Sequence, residues 1–239
     1  MVIGDIAHLL MDEPRRLDEP IAVVGMACRM PGSVESADDL WRLLIEKRDP
    51  VREGPFDRWD VDAFYDPDRE VRGRSNTRWS ATLDDITGFD AAFFGISPAE
   101  AASMDPQHRL LLEASWEALE HAGIPPRDVA GSQGGVFVGL WSQDNSVRLG
   151  THYDAIDAYA ATIGNVHCTA AGRVSYVLGL HGPCVAIDTA CSSSLVATHL
   201  AVQSLRTGES DFALAGGANI MLTPEFMLSG TQWLSLIHI

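Results

Sequence analysis

Basic residues are scarce in this chain. Only 17 Lys and Arg stand against 33 Asp and Glu, a formal net charge of −16. Such a surface repels a phosphate backbone, so nucleic-acid binding is not expected. Long apolar runs are missing as well: nothing approaches the roughly 20 residues that a membrane-crossing helix needs, and no membrane role is expected. The opening stretch MVIGDIAHLLMDEPRR has neither a basic start nor a small-residue cleavage site. It does not read as a secretory signal, so a cytoplasmic location is expected. Cysteine is sparse, and Cys28, Cys168, Cys184 and Cys191 lie far apart with no C-x-x-C pair. That spacing offers no metal site and no disulfide framework, so at least one thiol should be free. What remains, 239 residues of which 46% are hydrophobic and 21% charged, is the composition of a folded globule with a sizeable core.

Along the chain, residues 1–18 are charged and marked by Pro14, and read as a leader or linker whose start resembles the last helix of a carrier protein. IAVVGMAC then predicts a buried strand closed by Pro31-Gly32. Ser36 followed by ADDLWRLLIEK predicts an N-capped amphipathic helix. From Pro50 to Gly88 the composition is that of an irregular surface excursion, pinned by Trp59, Phe64, Tyr65 and Trp79. DPQHRLLLEASWEALEHAG is the strongest helix, opened by Pro106 and closed by Gly123. GGVFVGL is a central strand, followed by a polar loop to about Tyr153 and a helical run from Ala155. A small-residue helix within GNVHCTAAGRVSYVLGL, the strand CVAIDTA, the helix CSSSLVATHLAVQSLRTGE and the strand DFALAGGANIML follow. Strand and helix alternate, which predicts an α/β layered fold with parallel strands.

The junction DTACSSS, Asp188–Ser194, carries the chemistry. A cysteine where a strand turns into a helix lies beside the unpaired N–H groups of the first helical turn, whose dipoles favour a thiolate. A backbone N–H at such an elbow can also hold an oxyanion. The hydrolase elbow G-x-S-x-G is absent. On pattern alone, an inert buried cysteine in a small-residue turn fits as well as a nucleophile.

EPIAVVGMACRMPG, FDAAFFGISPAEAASMDPQHRLLLEASWEALEHAGI and GPCVAIDTACSSSLVATHLAVQSLRTGESDFALAGGANIML together resemble β-ketoacyl synthase domains of type I modular polyketide synthases. The resemblance runs over residues 19–230 and implies the N-terminal half of a thiolase-like layered fold. By this match Cys191 accepts an acyl group from a carrier-protein thioester, and a malonyl-type extender then loses carbon dioxide and attacks the acyl-enzyme. The resemblance implies no directly bound cofactor, only the phosphopantetheine arm delivered by an acyl carrier protein. It also implies a homodimer and other modules of the same synthase as partners. Gly164, Asn165, Val166, His167, Cys168 and Thr169 correspond to the part of the family near the acyl pocket and the dimer partner. Arg69, Arg72, Arg74 and Arg78 read either as a solvated loop or as a docking patch for the acidic carrier. His108, His167 and His199 read as structural, and Cys184 as core.

The family's two catalytic histidines and its lysine belong to segments resembling HGTGT and GHTEAAAG, and neither occurs in these 239 residues. Residues 231–239 depart from the family pattern and read as a tail on a truncated domain, and His238 matches neither histidine. A chain-length partner would replace Cys191 and a decarboxylating loading domain would carry Gln there. A cysteine hydrolase would need a His and an Asn or Asp that cannot be picked out. The remaining rival is a fragment with only a structural or dimerising role.

Overall fold

The structure, a computed structural model, describes residues 1–4, 19–150 and 158–232. Its spine is β5 (Gly135–Leu140), an apolar run buried along its whole length. Parallel to it lie β7 (Phe212–Ala218) on one side and β6 (Cys184–Ile187) on the other. The sheet continues from β7 through β1 (Val2–Gly4) to β2 (Ala22–Gly25), both antiparallel additions, in the order β2-β1-β7-β5-β6.

Side chains alternate across a strand, so β5 feeds two cores. Val136, Val138 and Leu140 join Leu111, Leu112 and Leu119 of α4 (Pro106–His121) and Val174 and Leu178 of α7 (His167–Leu178). Phe137 faces the other way, with Ala213 and Ala215 of β7, against Ala197, Ala201 and Leu205 of α8 (Ser193–Thr207). The buried face of α8 is almost all Ser and Ala, which lets the helix axis come close to the sheet. Helices thus cover both faces of a mixed sheet whose core strands β7, β5 and β6 are parallel, as the alternating pattern predicts for them.

The predicted punctuation acts as expected. Ser36 Oγ accepts from the Asp39 N–H at 3.1 Å and opens α1 (Ala37–Ile45). Asp105 caps α4, with Pro106 at its first position, and Gly123 ends it at φ 70°. The excursion from Pro50 to Gly88 holds a small ladder of β3 (Arg52–Glu53) with β4 (Trp79–Ser80), and the short α2 (Val61–Phe64). The remaining α-helices among the described residues are α3 (Pro98–Ser103), α5 (Asp144–Leu149), α6 (Ala158–Ile163) and α9 (Glu225–Gln232).

Val2–Gly4, within the stretch read as a leader or linker, form a strand between β2 and β7, where both neighbours offer unpaired backbone groups. Other expectations are corrected. The strand in IAVVG is an outer one, so Ala22 and Val23 are exposed rather than buried. The polar stretch after β5 contains α5, a short helix that no apolar period announces. Trp59 and Phe64 do line a recess against Met227 and Leu228, but Trp79 is more than half exposed. Residues 5–18, 151–157 and 233–239, including His238, lie outside the described residues.

Candidate active site

The parallel strands β5, β6 and β7 end nearly level, with Gly139 paired to Ile187 on one side and to Gly217 on the other. In open α/β sheets, ligands bind outside these carboxyl ends. Here the chain leaves β6 and turns through Asp188–Ser192 into α8.

The side chains of the turn hold it together. Asp188 Oδ1 accepts from the Ala190 N–H at 3.0 Å. Ser193 Oγ accepts from the Thr189 N–H at 2.9 Å and donates to the Ala190 carbonyl at 2.7 Å. Ser192 Oγ donates to the Thr189 carbonyl at 2.8 Å, with Thr189 Oγ1 also at 2.9 Å. Together they hold Ala190 at φ 53°, a left-handed conformation that costs a residue with a Cβ about 1–2 kcal/mol. The next residue is Cys191, exposed at the entry to α8. It is thus not the buried cysteine that the pattern alone also allowed.

The floor of the elbow is made of glycine. A Cβ on Gly139 would sit 2.6 Å from the Ser193 carbonyl carbon and the Ser194 nitrogen. One on Gly217 would sit 3.0 Å from Ser194 Cβ. Both residues are on the α8 side of their strands, and the helix start rests on bare backbone. Sequence reasoning passed over these two positions. Their signal was a glycine inside an apolar strand, which marks a close backbone approach.

The other thiols differ from Cys191 in setting. Burial pushes the Cys28 thiol up. Cys184 is also pushed up by partial burial of its thiol, although the residue as a whole is exposed. It is not the core residue expected, because β6 is the edge strand of the sheet. Cys168 is exposed near the start of α7.

Of the candidate pocket residues, Gly164 and Asn165 are buried and used for structure. The Gly164 carbonyl accepts from the Asp105 N–H at 2.9 Å. Asn165 donates to the Ser103 carbonyl at 2.9 Å and to the Ala161 carbonyl, and accepts from Asn145 at 2.7 Å. Thr169 Oγ1 reaches the Ile163 and Val166 carbonyls. Val166 and Cys168 are exposed. His167 turns toward the strand ends: its Nε2 lies 3.1 Å from the Ser142 carbonyl, just past β5, and so carries the proton.

His108 is buried, with its Nδ1 unpartnered, and burial, Arg173 and His167 together push its imidazole down to about 3. It is a neutral core histidine. His199, expected to be structural, is exposed on α8. Among the arginines, Arg69 pairs with Glu70, and Arg78 pairs with Asp62 at 2.7 Å while stacking on Tyr65. Arg72 is exposed and Arg74 half-buried, and among the described residues neither is in a salt bridge.

A cavity of about 450 Å³ lies between α4, β5 and β7, lined by Leu111, Val138, Leu214 and the buried Arg58. Val138 and Leu214 point to the α4 side of the sheet, the face opposite the elbow. Cys191 is not among the cavity's lining residues. Among the described residues no group of three or more His, Cys, Asp or Glu is placed to hold a metal, and no helix is long and apolar enough to cross a membrane.

A family model described as "Beta-ketoacyl synthase, N-terminal domain" matches residues 18–237. The chain is 52% identical, over 93% of its length, to a component of the phenolphthiocerol/phthiocerol polyketide synthase of Mycobacterium tuberculosis. It is 56% identical, over 87% of its length, to pikromycin polyketide synthase component PikAII of Streptomyces venezuelae. It spans 12% and 6% of those two proteins. Among solved structures, the oxazolomycin ketosynthase domain OzmH KS7 of Streptomyces albus superposes with TM-score 0.83 at 38% identity. That match covers 90% of this chain and 37% of the other. The ketosynthase from module 6 of the bacillaene synthase of Bacillus subtilis superposes with TM-score 0.79 at 37% identity, covering 98% of this chain and 35% of the other.

Proposed function

Because the chain belongs to the β-ketoacyl synthase family, in the form found in modular polyketide synthases, we propose that Cys191 is its acyl-accepting nucleophile. The observation that carries this reading is the elbow: an exposed thiol at a strand-to-helix turn, set on two glycines at the carboxyl ends of three parallel strands. The Cys191 sulfur, as thiolate, attacks the carbonyl carbon of an acyl thioester. The tetrahedral oxyanion is held by a backbone N–H of the elbow. Collapse expels the carrier's pantetheine thiolate, which takes up a proton, and leaves an acyl thioester on Cys191.

In a complete synthase domain the acyl group then passes to the carbanion formed when a malonyl-type extender loses carbon dioxide. The donors that stabilise that carbanion belong, by family resemblance, to two histidines outside these 239 residues. The present residues therefore support the acyl-transfer half of the reaction. The thioester arrives on the phosphopantetheine arm of an acyl carrier protein. Arg72 and Arg74, in no salt bridge among the described residues, are cations of an otherwise acidic chain available to receive that acidic protein. We assign the protein to the cytoplasm, where the other modules of its synthase would also reside.

A homodimer is the assembly this reading favours. β6 is an edge strand with Cys184 and Val185 exposed, and Tyr176 on the neighbouring α7 is 87% exposed. A second copy pairing along β6 would cover all three and remove the open edge. The functional assignment is tested by loading from an acyl-carrier protein. Cys191→Ala should abolish acyl transfer to the chain, and transfer retained in that variant would refute the assignment.

A further inference from the structure

Gln107 lies far from Cys191 in sequence and is 1% exposed, yet both polar ends of its side chain reach the loops beyond the strand ends. Its Nε2 donates to the Ser142 carbonyl at 3.0 Å and to Asp105 Oδ2 at 3.2 Å. Its Oε1 accepts from the Ile220 N–H at 3.3 Å. A carbonyl can only accept and an amide N–H can only donate, so these partners fix which way the side chain faces.

Ser142 is on the loop leaving β5 and Ile220 on the loop leaving β7. The parallel ladder between those strands ends at Leu140 and Ala218. Beyond that last pair, Gln107 takes the place of the missing ladder, donating to one loop and accepting from the other. Neighbouring bonds follow the same line: Asp144 Oδ2 accepts from the Leu222 N–H at 2.8 Å and the Thr223 N–H at 3.1 Å. Gln107 alone among these side chains also anchors both loops to the first turn of α4. One residue inside that last pair stand Gly139 and Gly217, the backbone floor on which Ser193 and Ser194 rest. The separation of these strand ends therefore sets the seat of the helix start that follows Cys191.

We propose that Gln107 is a positioning residue for acyl transfer at Cys191, clamping the ends of β5 and β7 at the spacing that the elbow requires. This rests on the reading of Cys191 as the nucleophile. Acyl transfer needs the sulfur within reach of the carbonyl and the oxyanion donors in register, and a displacement of about 1 Å can cost about a hundredfold. Freed from the clamp, the loops would splay and the floor under the elbow would lose that register. Gln107 itself touches neither substrate nor sulfur.

The test uses the full chain, a small acyl thioester, and two variants of nearly unchanged shape. Gln107→Glu replaces the donor with an acceptor facing two acceptors, and Gln107→Met removes every hydrogen bond of the side chain. Single-turnover acylation of Cys191 should lose on the order of tenfold to a hundredfold in its saturating rate. The thioester concentration at half-saturation should stay within about twofold, because the clamp governs alignment rather than binding. A saturating rate within about twofold of the parent in either folded variant overturns the role. So does a rise in the half-saturating concentration alone, or loss of the fold in both variants, which would make Gln107 a folding residue. If the parent itself takes no acyl group on Cys191, the underlying assignment fails first and the role with it.

Discussion

Gly139 lies against the backbone of Ser193: the space its Cβ would occupy is 2.6 Å from the Ser193 carbonyl carbon. Backbone cannot swing aside as a flexible side chain can. Gly139→Ala should therefore push the start of α8 off the sheet and destabilise the protein by about 1–3 kcal/mol. Denaturant unfolding measures the loss. A variant as stable as the parent would mean that the helix start is not seated on this glycine.

His108 should set an acid limit on stability. In the unfolded chain its imidazole titrates near 6.5, and in the fold burial holds it down to about 3. Between those values the unfolded state binds a proton that the native state refuses. Stability should thus fall as the pH drops below 6.5, by up to about 1.4 kcal/mol per unit, until the native state also protonates. Asp105, which burial raises above its ordinary 3.8, works in the opposite sense: its native carboxyl gains a proton as the pH falls, which offsets part of the loss. His108→Gln should flatten the profile between pH 6.5 and 4. Unfolding midpoints for parent and variant across that range decide it, and parallel profiles would contradict it.

How much of this was legible in the sequence depends on the range of the interaction. α4 was legible because Pro106 and Gly123 act within one turn of their own backbone. The parallel core strands were legible as short apolar runs between helical patterns, and DTACSSS as a small polar turn bearing one thiol. α5 was not, because a helix this short shows no apolar period. Nor was the edge position of β6, which exposes Cys184 and depends on which strand pairs with which. Gln107 reads locally as one more polar residue at a helix start. Its partner Ile220 is 113 residues away, and no local pattern encodes that contact.

Reversing charge at Arg72 and Arg74 should separate carrier recognition from chemistry. With both changed to Glu, loading from an acidic acyl-carrier protein should weaken several-fold and lose much of its salt dependence. Loading from a small neutral thioester should be unchanged. Equal losses with both donors would point to damage to the fold. No loss with either would leave the two arginines as solvated loop residues.

The most direct measurement is to expose the folded chain to a small acyl thioester and map the acyl group by peptide mass analysis. Cys191 is exposed at the elbow, whereas burial raises the thiols of Cys28 and Cys184 and leaves them less nucleophilic. The expected result is a single acyl group on Cys191, absent after Cys191→Ala. An acyl group on Cys28, Cys168 or Cys184 in preference to Cys191, or acylation undiminished in the Cys191→Ala variant, would contradict the account.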